Sequence, residues 1–149
     1  MIHFIKTNSK NIDFISLVKQ LDAELTIKDG DYLDFYHQFN GITNLNYVIV
    51  AYKGPNAIGC GAIKSFDKKT MEIKRMFVPE NARGLGIATQ ILTNLESWSS
   101  DLGYSKCILE TGKILVEAIA LYKKCGYQMI PNYGQYKDVE NSVCFEKQL

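Results

Sequence analysis

No stretch of the 149 residues approaches the run of about 18 apolar residues that a membrane-spanning helix needs. The opening MIHFIKTNSK also lacks the apolar core of a secretory leader, so neither export nor membrane insertion is expected. Neither sign of charge dominates: 17 Lys+Arg stand against 16 Asp+Glu, which leaves no basic face for nucleic acid and no polybasic membrane anchor. Histidine is scarce, with only His3 and His37. The four cysteines, Cys60, Cys107, Cys125 and Cys144, form no CxxC pair, so no metal site is expected. Free, buried thiols in a reducing cytoplasm are the expected state of these residues.

Repeats, linkers and low-complexity tracts are absent as well, and the length suits one domain spanning residues 1–149. Hydrophobic residues make up 46% and charged residues 22%, a composition that buries a core and excludes a disordered chain. IHFIK (2–6) reads as a short first strand. Asn8 or Ser9 can cap a helix in which Ile12, Ile15, Leu17, Val18, Leu21 and Leu25 recur at helical spacing. KDGD breaks that helix, and YLDFYHQFN reads as a second short one closed by Asn40-Gly41. Three strand-like runs follow, YVIVAYK (47–53), AIGCGAIKSF (57–66) and TMEIKRMFV (70–78), joined by turns short enough for an antiparallel meander.

The periodicity then changes. Ile87, Ala88, Ile91, Leu92, Leu95 and Trp98 form a helical stripe that ends near Gly103. KCILE (106–110) is apolar through its centre, as expected of a strand covered on both faces. A further helix runs from about Leu115 to Cys125 with Gly126 as its cap, and YQMI and SVCFEK are two last strands. The order β-α-α-β-β-β-α-β-α-β-β describes a mixed α/β fold with antiparallel strands first and a parallel pair in the middle.

PENARGLGIATQIL (79–92) places two glycines at a helix start, where each costs about 1 kcal/mol relative to alanine. A ligand that must approach the backbone explains this choice. The first amides of a helix have no intrahelical partner, and with the helix dipole they favour a phosphate. Gly84 and Gly86 remove the Cβ atoms that would hold it off, and Arg83 adds a fixed positive charge. The same stretch also reads as a loop that merely turns the chain. It is neither a Walker loop, because no Gly-Lys-Ser/Thr follows, nor a GxGxxG dinucleotide fingerprint.

RGLGIA after EIKRMFVPENA resembles the coenzyme-A pyrophosphate loop of the GNAT superfamily of acyl-CoA-dependent N-acetyltransferases, with Arg83, Gly86 and Ala88 at its three fixed positions. The resemblance continues through GCGAIK, LETG, AIALYKKCGY and the tail NYGQY…SVCFEKQL. It implies a GNAT-like fold: a mostly antiparallel sheet of about seven strands with a splayed parallel middle pair, flanked by about four helices. It implies acetyl-CoA as co-substrate, with its pyrophosphate on the amides of Arg83, Gly84, Leu85, Gly86, Ile87, Ala88 and Thr89. Met76, Phe77 and Val78 would run beside the pantetheine arm, and an amide near Phe77 would face the thioester oxygen. Phe77 also reads as core packing.

Tyr122 aligns with the tyrosine that protonates the departing thiolate, although it sits on an amphipathic helix and equally suits a half-buried core position. Glu72 aligns with the general base of some members; its rival reading is an ion-pair partner of Lys74 or Lys64. Glu110, or a water without a dedicated base, is the next choice. The asparagine often found three residues before the motif's alanine is replaced by Leu115. Asp31, Asp34 and Tyr36 could line an amine-binding mouth or simply a solvated helix face. Tyr133, Tyr136 and Ser142 could be substrate-side groups, strand residues or dimer contacts. Lys123 and Lys124 could meet the 3′-phosphate of coenzyme A.

The activity this implies is acetyl transfer to a primary amine of a small molecule or peptide through a ternary complex, by a monomer or homodimer. The competing reading is a non-catalytic acyl-CoA-binding sensor or partner module, which the missing asparagine favours. A nucleotide hydrolase is disfavoured by the lack of a P-loop lysine and of paired metal carboxylates.

Overall fold

The unbroken apolar run of YVIVAYK has to be covered on both faces, and the architecture does this. In the computed structural model, which describes residues 1–29, 41, 42 and 44–149, seven strands form one sheet. They are β1 (Ile2–Thr7), β2 (Tyr47–Lys53), β3 (Asn56–Ser65), β4 (Thr70–Phe77), β5 (Lys106–Gly112), β6 (Gln128–Ile130) and β7 (Ser142–Gln148). Their spatial order is β1-β2-β3-β4-β5-β7-β6. β4 and β5 are parallel; every other neighbouring pair is antiparallel. The described helices are α1 (Ile12–Asp29), α2 (Ile87–Asp101) and α3 (Val116–Lys124).

Alternation along β2 divides the core into two layers. Val48, Val50 and Tyr52 pack with Phe14, Leu17 and Val18 of α1 on one face. Ile49 and Ala51 point the other way, to Ile87, Ile91, Leu92 and Leu95 of α2. Each of these four α2 side chains is at most 1% exposed, and burying one contributes about 1.5–3 kcal/mol. Glycines in β3 let α2 come this close. A Cβ on Gly61 would lie 2.6 Å from Met76 Sδ and 2.9 Å from Ile91 Cγ2, and one on Gly59 would lie 2.9 Å from Ile91 Cδ1.

Three details differ from the sequence expectation. The cap of α1 is Asn11, whose Oδ1 accepts from the Phe14 amide at 3.0 Å; Asn8 Oδ1 instead accepts from the Lys10 amide in the preceding turn. Among the described residues there are three α-helices, not four, because the expected second helix lies outside the described residues. Asp31, Asp34 and Tyr36 lie outside them too. Short 3-10 turns at Glu80–Ala82 and Gly134–Tyr136 complete the chain.

Candidate active site

The parallel pair opens. β4 and β5 are paired only at Thr70–Lys106, Met71–Cys107 and Glu72–Ile108. From there β4 runs on to Phe77 and β5 to Gly112 without a ladder between them. A bulge in β4 accompanies the opening. Cys60 opposes Phe77 while Ala62 opposes Lys74, so two steps on β3 span three on β4. The extra residue shifts the side-chain phase: Met71 and Ile73 join the α2 layer, but Phe77, an even number of residues further on, joins the α1 layer. Arg75 sits at the shift with φ 55, in the left-handed region.

Two hollows fill the gap. The larger, about 440 Å³, runs along Met76, Phe77 and Val78 to Arg83, Gly84, Gly86, Ile87, Ala88 and Thr89. The smaller, about 140 Å³, holds Glu72, Lys74, Arg75, Glu110 and Tyr136. Both are walled by Leu21, Leu25, Met76, Leu115, Ala118 and Tyr122. Tyr122 therefore stands where the cleft and the chamber meet.

The glycine loop has the geometry of a cradle. Gly84 (φ 84) and Gly86 (φ 75) both require left-handed backbone, and a Cβ on either would meet no atom within 4 Å. Gly86 is the N-cap of α2, and no side chain caps the amides of the first turn. These amides open onto the cleft. Leu85 is the one loop residue outside its walls, with its side chain 57% exposed. Arg83 is already engaged: its Nε donates to the Val78 carbonyl at 2.8 Å, and its Nη2 donates to both oxygens of Glu24 on α1 at 3.0 Å. Glu24, which lines the cleft, was not singled out from sequence, since nothing local marks a helix carboxylate 59 residues from its partner.

Tyr122 is 7% exposed and packs edge-on to Tyr127. Burial pushes its hydroxyl well above the ordinary phenol range, with Glu110 and then Cys125 adding to the shift. The two sequence readings of this residue, core aromatic and cleft hydroxyl, are both realised. Glu72 is likewise in both of its expected settings. It faces the chamber, and its Oε1 lies 3.7 Å from Lys74 Nζ; Lys64 is only its backbone neighbour across the sheet. Its Oε2 accepts a 2.7 Å hydrogen bond from Tyr133 Oη, whose proton is held firmly by burial and by the Glu72 charge. Glu110, two residues past the last β4–β5 pair, accepts from Ser142 Oγ at 2.7 Å. Leu115 occupies the N-cap position of α3 without a side-chain cap. Lys123 and Lys124, in the last turn of α3, line neither hollow. Among the described residues no three His, Cys, Asp or Glu side chains cluster as a metal site would require.

Known proteins share this arrangement. The model of the acetyltransferase (GNAT) family matches residues 15–127. The IAA acetyltransferase of Azospirillum brasilense is 36% identical over 102 residues, covering 68% of this chain and 67% of that protein. The uncharacterized N-acetyltransferase YsnE of Bacillus subtilis is 33% identical over 101 residues, covering 66% and 67%. Among solved structures, a Klebsiella pneumoniae chain described as an acyl-CoA N-acyltransferase superimposes with a TM-score of 0.84 at 26% identity, covering 100% of this chain and 98% of that one. A GNAT family acetyltransferase from Elizabethkingia anophelis, solved with acetyl-CoA bound, shares the fold with a TM-score of 0.71 at 19% identity over 99% and 98% of the two chains. The splayed strand pair, the glycine-lined helix start and these likenesses together make the chain a member of the GNAT acetyltransferase family.

Proposed function

We propose that the protein transfers an acetyl group from acetyl-CoA to a primary amine of a small molecule or peptide, with both substrates bound at once. One observation carries this reading: Tyr122 stands in the wall common to a cleft that ends on uncapped helix amides and a chamber that holds two carboxylates. Acetyl-CoA supplies an activated thioester. The residues of the glycine loop fit its diphosphate, because left-handed Gly84 and Gly86 leave open space where any other residue would place a Cβ. Met76, Phe77 and Val78 line the path from that loop to Tyr122, and the β4 edge freed by the splay offers main-chain groups to a pantetheine amide and a thioester oxygen.

Tyr122 then donates a proton to the departing sulfur. A raised phenol pKa keeps that proton in place across the physiological range, and the same water-poor surroundings raise the proton affinity of the sulfur anion. Glu72 takes the proton of the amine directly or through a water, held in orientation by Tyr133 and Lys74. Glu110, in the same chamber, is the second candidate for this role. Positioning of the two substrates lowers the barrier further. Four unpaired thiols, three of them buried, suit a reducing compartment such as the cytoplasm.

The test is release of free thiol from acetyl-CoA in the presence of a panel of primary amines. Amine-dependent release is the expected result. Tight acetyl-CoA binding with no release from any amine would instead make the protein an acyl-CoA-holding module.

A further inference from the structure

The chamber contains a cation that the acetyl-transfer reading leaves unused. Arg75 is 7% exposed, and its side chain is 3% exposed. Its Nη2 pairs with Asp22 of α1, yet its Nε is buried with no hydrogen-bond partner. A buried donor left without an acceptor costs about 1–3 kcal/mol, so a native structure that keeps one calls for a reason. The backbone adds a second oddity. Arg75 and Asn44 are the only described non-glycine residues with positive φ, and Arg75 alone of the two lies within a strand. The β4 bulge thus holds an L-residue in a disfavoured conformation and takes its side chain toward α1.

Chamber chemistry indicates what completes this group. Its walls carry two carboxylates, Glu72 and Glu110, and two cations, Lys74 and Arg75. A ligand bearing only an amine would satisfy the carboxylates and leave the guanidinium edge dry. A ligand bearing both signs satisfies both. Guanidinium geometry favours a carboxylate over a point anion, because adjacent N–H groups present a planar fork. Asp22 occupies one tine of that fork, and its side chain is 45% exposed, so it can yield or share.

Accepting the acetyl-transfer reading, we infer that the acceptor carries a carboxylate beside its amine, as a small amino acid does, and that Arg75 binds that carboxylate through Nε. Arg75 is then a specificity residue. It selects the acceptor and leaves the proton transfers to others.

The test has a binding arm and a kinetic arm. In the first, the protein saturated with coenzyme A is titrated calorimetrically with N-acetyl-L-amino acids and with their carboxamides. At least one acid is expected to bind about tenfold or more tighter than its amide, the scale of one charged hydrogen bond. Arg75→Gln should level the pair without changing coenzyme A affinity. No acid binding better than its amide overturns the inference in the wild-type protein alone, whether or not the variant folds; a preference that survives in folded Arg75→Gln overturns it as well. In the second arm, thiol release from acetyl-CoA is compared for L-amino acids and their amides. A lower KM for the acids, lost in Arg75→Gln while kcat is kept, is expected. Equal KM for acids and amides refutes the Arg75 role and leaves acetyl transfer standing. Acids that bind selectively but release no thiol would sink the transferase and leave the carboxylate site standing.

Discussion

Replacing Gly86 by valine separates the backbone demand of the glycine loop from its binding role. Gly86 has φ 75, where a β-branched L-residue is strained by roughly 1–2 kcal/mol. For a chain of this length such a loss lowers Tm by about 2–8 °C. Strain alone says nothing about a ligand, and a control is available within the same helix. Gly103 lies just past the opposite end of α2, has φ 94, and likewise has no atom within 4 Å of a hypothetical Cβ. Fifteen helical residues separate the two sites by about 22 Å. Gly103→Val should therefore destabilise at least as much as Gly86→Val. Binding should differ. At position 86 the new side chain occupies the open face of the cradle and blocks one or two charged hydrogen bonds of about 1.5–3 kcal/mol each. The acetyl-CoA Kd should rise at least about tenfold, at 1.4 kcal/mol per decade, whereas Gly103→Val should leave it unchanged. Calorimetric titration of both variants, with thermal melts alongside, measures the two effects separately. Equal affinities in the two would refute the placement of the diphosphate on this loop.

Further outcomes are expected elsewhere. Tyr122→Phe preserves the ring packing against Tyr127 and Phe145, so kcat should fall about a hundredfold or more while acetyl-CoA affinity holds; wild-type turnover would exclude proton donation by this hydroxyl. Glu24→Gln releases Arg83 from a half-exposed ion pair worth about 0–1 kcal/mol and removes a negative charge from the cleft. Acetyl-CoA should bind more tightly to this variant at nearly unchanged Tm; a weaker complex would show that Glu24 orients Arg83 productively. A thiol reagent at pH 8 should modify one cysteine of the native protein, the half-buried Cys125, and all four after denaturation. Stability should be full below about pH 9 and fall above it in alkaline melts. Burial raises Cys60 from 9.0 to about 12 and Cys107 and Cys144 to about 11, so the unfolded chain ionises first and gains as pH climbs through that window. Cys60 alone accounts for up to about 1.4 kcal/mol per pH unit there. A flat profile between pH 9 and 11 would mean that these thiols are not sealed from water.

Local patterns carried the sheet, two of the helices and the cradle. Period-two alternation in β2 and the apolar spacing of Ile87, Ile91, Leu92 and Leu95 record which faces are buried, and they are legible because neighbours along the chain share one element. Gly84 and Gly86 were legible for the same reason, since a left-handed turn at a helix start is specified by the residues that make it. The cap of α1 shows the limit even of local reading: three polar residues, Asn8, Ser9 and Asn11, compete within one turn, and only the helix's final position selects Asn11.

Tertiary structure alone decided the polar partners. Glu72 meets Tyr133 across 61 residues of sequence, Arg83 meets Glu24 across 59, and Arg75 meets Asp22 across 53. No local propensity encodes such a pairing, because it depends on where separate elements come to rest against one another. The bulge that turns Arg75 is equally silent in the sequence. KRM reads as ordinary strand, and the left-handed φ arises only when β3 and β4 are held at unequal spacing by the packing on both sides of the sheet. The sequence by itself thus determined a GNAT-like sheet with a place for a phosphate, whereas the chamber's balance of charges followed from the splay of β4 from β5, which no single segment specifies.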